Sequence, residues 1–296
     1  MNVYSQINSN KLKTYLIIAI FIGLLSVAFY GVGKYMGNPE MYFTIGIIFS
    51  LVSSFGSYFY SDKIVLTMTG AKPASKEEYF DFYTVTENLA IAAGMPMPKL
   101  YVMQDDAVNA FATGRDPKHA AVAATTGLLK RLDRTEIEGV IGHELSHVKN
   151  YDILVMSMVG VLVGTLVFVS DFVMRSMIWG HGDDDNKKGN VFGGIVFIAF
   201  LIILPLMASL IQMAVSRRRE FLADASGALL TRNPDALADA LEKIAGDPHK
   251  LHTASHATAH LFIGNPFGTS KTRDFLMNLF STHPPMEERV RILRSM

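Results

Sequence analysis

His143-Glu144-Leu145-Ser146-His147 places two imidazoles four residues apart with a carboxylate between them. On a helix, positions i and i+4 share one face, so both rings can reach one metal ion. Glu144 then lies beside that ion. Zinc hydrolases need this set: two neutral nitrogen ligands, an open coordination position for water, and a carboxylate to take the water's proton. The bland alternative is a solvated helix face carrying two histidines, and the flanking residues argue against it. Asp133-Arg134-Thr135-Glu136 fits a helix start, with Asp133 as N-cap and Glu136 three residues on. Ile137, Val140, Ile141, Leu145 and Val148 recur at helical spacing as an apolar stripe, so the motif rides on a packed helix.

A catalytic site of this kind needs one more protein ligand. The chain has no cysteine, which excludes disulfides and thiolate zinc sites and leaves histidine and carboxylate. The candidate is Glu220, in the run Arg217-Arg218-Arg219-Glu220-Phe221-Leu222-Ala223-Asp224. Asp224, four residues further, shares its helix face. It suits the role of accepting the free ring N–H of a ligand histidine and fixing its tautomer. Taken alone, both acids read as a solvated face beside a basic anchor. The metal motif upstream changes that reading.

The intervening stretch is where the elements that position these residues come in. Residues 14–35, 41–60, 153–170 and 191–215 are apolar and long enough to span a bilayer, and they form two hairpins with short polar loops. The expected organisation is a first membrane hairpin in residues 1–63 and a first catalytic part in 64–150. A second hairpin follows in 151–215, and a second catalytic part in 216–296. The second hairpin leaves and re-enters the membrane at one face, so the His helix goes in and the Glu helix comes out beside it. Lys11, Lys13, Lys63, Lys72, Lys76 and Arg217-Arg218-Arg219 put the basic flanks on the side of both termini and the catalytic parts, which is then the cytoplasmic side. Within the first part, 76–93 reads as a helix ended by Gly94 and Pro96, and 99–103, 107–113 and 119–125 as short strands. The second part reads as helices over 216–231, 234–245 and from 285. The fold class is a membrane α+β protein: four transmembrane helices with a mainly helical, zincin-like unit and a small sheet.

The runs H-E-L-S-H-V-K-N, S-R-x-R-E-F-x-A-D, V-N-A-F-A-x-G at 108–114 and T-H-P-P-x-x-x-R at 282–289 resemble those of the HtpX-type membrane metalloproteases, gluzincins related to the CAAX prenyl endoproteases. The resemblance covers almost the whole chain. It implies a zinc endopeptidase of the bacterial inner membrane, holding one Zn2+ per chain and acting in membrane-protein quality control. It implies His143, His147 and Glu220 as ligands, Glu144 as catalytic base and Asp224 as orienter. It also implies that Asn109 and Ala110 lie on an edge strand binding the substrate backbone, against the plainer reading of a core strand. His283 either approaches the metal to stabilise an oxyanion or cap the open position, or merely opens a helix behind two prolines.

Balanced charge, 27 basic and 27 acidic residues, implies no polyanionic partner, and no basic stripe interleaved with aromatics supports nucleic-acid binding. The expected partners are polypeptides, unfolded or membrane-derived, and the lipid bilayer. Two rivals stand beside this reading. One is a CAAX-type processing protease, whose relatives carry more spans. The other is a non-proteolytic, zinc-bound scaffold or chaperone, which would have no need of Glu144. His252, His256 and His260 recur every fourth residue without an acid among them, and read as a lid or a solvated face.

Overall fold

The computed structural model describes residues 3–179, 217–255, 257–267 and 284–296. Three described helices hold segments long and apolar enough to cross a membrane: Ile7–Lys34, Pro39–Met68 and Asp152–Val169. The fourth expected span, 191–215, lies outside the described residues.

Helices α1 (Val3–Met36) and α2 (Pro39–Met68) form the first hairpin. Gly37 turns it at φ 82°, a left-handed conformation that costs glycine little. Asn38 then caps α2 by accepting from the Met41 N–H, with Pro39 at the first helical position. Helix α6 (Asp152–Trp179) packs against this pair: Ile17, Phe21 and Leu25 meet Leu154, Met158 and Leu162 in one buried cluster. Val27, Ile48, Val52 and Phe55 point outward, as side chains facing lipid would.

Between α2 and α6 lies a four-stranded sheet in the order β1-β2-β4-β3. Strands β2 (Lys99–Met103), β3 (Ala110–Gly114) and β4 (Ala120–Thr125) match the three expected segments to within a few residues. β2 runs parallel to β4, and β3 runs antiparallel to it. β1 (Lys72–Pro73) adds an antiparallel edge of two residues, too short for any alternation to announce it. Helix α3 (Phe80–Ala93) starts four residues later than expected and ends at Gly94, φ 65°. Helices α4 (Thr126–Arg131) and α5 (Arg134–Lys149) follow β4. On α5, Asp133 and Glu136 form a complete capping box, and the stripe from Ile137 to Val148 is buried against the sheet.

The C-terminal elements close on α5. They are α7 (Arg217–Thr231), α8 (Pro234–Gly246) and α9 (Met286–Leu293). Two glycines make this packing possible. A Cβ on Gly227 of α7 would meet the His143 backbone nitrogen at 2.8 Å, and one on Gly139 of α5 would meet the Leu237 backbone at 2.8 Å. Only glycine lets α7 lie this close to the metal-motif helix, which brings Glu220 and Asp224, one to two turns before Gly227, alongside His143 and His147.

Candidate metal centre

The i,i+4 geometry of α5 brings the two imidazoles together, with His143 Nε2 3.1 Å from His147 Nε2. Glu220 enters from α7. Its Oε1 is 3.5 Å from His147 Nε2 and its Oε2 is 3.8 Å from His143 Nε2. The three residues offer ligand atoms that all lie within 4.8 Å of one another, and all three are buried. The opposite ring nitrogens are turned outward to carboxylates. His143 Nδ1 lies 2.9 Å from Asp224 Oδ1, and His147 Nδ1 lies 3.2 Å from Asp152 Oδ2. A ring whose Nδ1 proton is held by a carboxylate presents its Nε2 lone pair to the centre. The inward set is thus two nitrogens and one carboxylate, without sulfur. That donor set fits a divalent cation of the catalytic zinc type and leaves a coordination position open.

Glu144 is buried beside this set and accepts a hydrogen bond from the Ala112 backbone N–H on β3. Burial pushes its carboxyl up to about 7, with Glu220 adding to the effect and the charges of His147 and Arg289 opposing it. A carboxyl with that affinity can take and release a proton near neutrality. Asp224 is the opposite case. Burial alone would raise it, but the Arg289 guanidinium and His143 outweigh burial and hold it down at about 2. Burial keeps His143 below the ordinary imidazole value despite Asp224. For His147 burial acts in the same direction, yet Asp152, Glu220 and Glu144 together raise it to about 9.

Arg289 closes the T-H-P-P-x-x-x-R run at 282–289. It is fully buried. Its Nε donates to Asp224 Oδ2 at 2.8 Å and its Nη2 to Asp224 Oδ1 at 2.7 Å, while Nη1 donates to the Ile263 carbonyl at 3.3 Å. The fork from α9 fixes the carboxylate that in turn faces His143. Its place at the end of the T-H-P-P-x-x-x-R run was the available signal. His283, in the same run, lies outside the described residues, as does His256. Asp152 was missed altogether. The signal for it was a carboxylate at the first position of a long apolar helix, where an acid needs a partner.

The structure adds detail to two readings. Asn109 was expected to offer its amide to a substrate. Instead its Nδ2 donates to the Gly264 carbonyl at 3.0 Å, and its Oδ1 accepts from the Gly264 N–H at 3.2 Å. Satisfied on both sides, this buried amide anchors the 263–264 segment. β3 is an edge strand, but at Ala110 its carbonyl already accepts from the Ile263 N–H at 3.0 Å. The histidine series is not a lid of one kind either. His260 is buried with Nε2 2.9 Å from the Met156 carbonyl, whereas His252 is exposed with Nδ1 3.2 Å from Asp105.

Comparison with known proteins agrees with this geometry. Residues 80–296 match the model of peptidase family M48. A protease HtpX homolog of Tropheryma whipplei (strain Twist) is 45% identical, covering 99% of this chain and 98% of its own. One of Thermoanaerobacter pseudethanolicus is 43% identical at the same coverage of each chain. Among solved structures, S. mikatae Ste24p is similar over 98% of this chain and 67% of its own, with a TM-score of 0.46 and 16% identity. The chain belongs to peptidase family M48 and is a membrane metalloprotease of the HtpX type.

Proposed function

We propose that this metalloprotease uses zinc, one ion per chain, to cut unfolded or membrane-derived polypeptides at the cytoplasmic face of a bacterial inner membrane, in the quality control of membrane proteins. The observation that carries the reading is the buried, inward-facing set of His143 Nε2, His147 Nε2 and Glu220, with Glu144 beside it. His143, His147 and Glu220 would hold the ion. When bound, zinc supplies Lewis-acid polarisation of the scissile carbonyl and acidifies water.

The chain's own groups do the rest. The Glu144 carboxylate takes the proton of the attacking water and returns it to the leaving amine, both within reach of a group poised near pH 7. Asp224 and Arg289 hold the His143 ring in one orientation. The β3 edge supports backbone recognition. The contact from the Ile263 N–H to the Ala110 carbonyl is the bond an extended peptide would make there, so a substrate strand pairing with Ala110 displaces the 263–264 segment. Backbone pairing suits substrates that share no side-chain pattern. The cytoplasmic orientation rests on the basic flanks at Lys11, Lys13 and Arg217-Arg218-Arg219.

The test is cleavage of casein and of a model membrane substrate by the purified, bilayer-reconstituted protein. Activity is expected to vanish with a chelator and return with zinc. Cleavage that persists in a metal-free preparation would overturn the reading.

A further inference from the structure

Asn10 sits in a helix whose composition suits lipid, yet it is only 3% exposed. Its Nδ2 donates to the Asn150 carbonyl at 2.9 Å and to Asp152 Oδ1 at 2.8 Å. Asn150 is the C-cap of α5, the helix that carries both imidazoles, and Asp152 is the first residue of α6. The other oxygen of Asp152 lies 3.2 Å from His147 Nδ1. Arg219 of α7, next to Glu220, lies 3.5 Å from Asp152 Oδ1. Groups from four helices therefore meet at one buried carboxylate. The backbone between Asn150 and Asp152 is unusual too. Tyr151 has φ 60°, a left-handed conformation that a bulky L residue avoids. That turn is what folds Asp152 back against the helix it has just left. Strain held at a residue between two site elements is a mark of a turn kept for its outcome.

We propose that Asp152 and Asn10 are positioning residues for the metal centre: Asp152 fixes the His147 ring, and Asn10, from the first membrane helix, fixes Asp152. The proposal rests on the zinc reading above. For His147 to present Nε2 to a cation, its Nδ1 must keep the proton and the ring must not turn. A carboxylate partner secures both. Asp152 has two oxygens and three suitors. Without Asn10, the described group left closest to the oxygen turned away from His147 is the Arg219 guanidinium, and the carboxylate can swing toward that charge. Asn10 is well chosen for the task. A neutral amide locks the oxygen without consuming the negative charge that His147 needs. The consequence is that metal affinity depends on how α1 packs, although no residue of α1 is a ligand.

The experiment uses the full chain in bilayer discs. Zinc affinity is measured by chelator competition for wild type, Asp152→Ala, Asp152→Asn and Asn10→Ala. The visible spectrum of the cobalt-loaded forms and the melting temperature of the metal-free forms are recorded in parallel. Asp152→Ala is expected to weaken zinc about 10- to 100-fold, the usual cost of losing a carboxylate behind a ligand histidine. Asn10→Ala is expected to weaken it less, about threefold to tenfold, because the carboxylate remains but is no longer fixed. Both should change the cobalt spectrum. Asp152→Asn, which keeps the shape and an acceptor, should recover part of the affinity and covers the case in which Asp152→Ala does not fold. A lowered melting temperature with wild-type zinc affinity and an unchanged cobalt spectrum would make the two residues merely structural and overturn the proposal. A wild-type chain that binds no zinc overturns the metal reading itself, which is a different result from variants that bind as well as wild type.

Discussion

The two imidazoles of the centre are backed by carboxylates of opposite character. Behind His143 stands Asp224, gripped by the fully buried fork of Arg289, so the pair contributes orientation with little net charge. Behind His147 stands Asp152, held by the neutral amide of Asn10 and by Arg219 at a longer 3.5 Å. The proton affinities follow. His143 lies below the ordinary imidazole value, mainly through burial, whereas the partly uncompensated Asp152, with Glu220 and Glu144, lifts His147 to about 9. The first support is made by the C-terminal helices alone, and the second mainly by helices long enough to cross a membrane, with Arg219 added from α7. One half of the centre is thus backed by the C-terminal helices and the other chiefly by the long apolar helices α1 and α6. The same chemical device, a carboxylate behind an imidazole, is compensated by a two-pronged arginine in one half and more loosely, by an amide and a longer Arg219 contact, in the other.

The two supports differ most at their arginines. Arg289→Met leaves Asp224 buried without its fork and should destabilise the metal-free protein by about 3–5 kcal/mol, the usual cost of removing one partner of a buried pair. Arg219→Met should cost clearly less, because Asn10 still satisfies Asp152. Melting curves of the two variants in detergent decide this, and equal losses would mean that the two supports are not compensated differently. A smaller effect is expected at the β3 edge. Asn109→Ala removes both bonds to Gly264 and should cost about 1–3 kcal/mol of stability. If the melting temperature is unchanged while kcat/KM falls, Asn109 faces substrate after all. The smallest effect is expected at the far end of α5. Asp133→Ala removes the N-cap and should cost about 1 kcal/mol. The Thr135 hydroxyl and the Glu136 N–H hold the Asp133 carboxyl below its ordinary value. Its contribution is therefore present above the unfolded carboxylate value and is lost as pH falls through the lower, folded one. The stability gap between wild type and Asp133→Ala should close in acid, and a gap that widens there would contradict the capping role.

Local relations along the chain are legible in its sequence, and tertiary ones are not. His143 and His147 were legible because they share a helix face at i,i+4, a relation that needs no tertiary information, whereas Glu220 and Asp224, spaced the same way, stood out only because the metal motif upstream calls for a third ligand. The capping box at Asp133 and the three main strands were legible for the same reason, since their signals are local. Asp152 was not, because α5 ends before it and only the left-handed turn at Tyr151 brings it back to His147. Asn10 was not, because its partners stand 140 and 142 residues away and a lone amide in an apolar helix has no pattern. Arg289 fell between. Its motif was visible, but the acid it pairs with depends on how α9 docks. Asn109 was half legible for a related reason. The N-A-F segment does lead into an edge strand, but the Gly264 segment that satisfies its amide comes from far downstream.

The most direct test of the account is Glu144→Gln in the full-length, bilayer-reconstituted protein, with metal content and cleavage measured on the same sample. Glutamine keeps the shape and cannot take the proton. Zinc is expected at one ion per chain, as in wild type, with cleavage reduced to background. Turnover above a few per cent of wild type with zinc in place would contradict it.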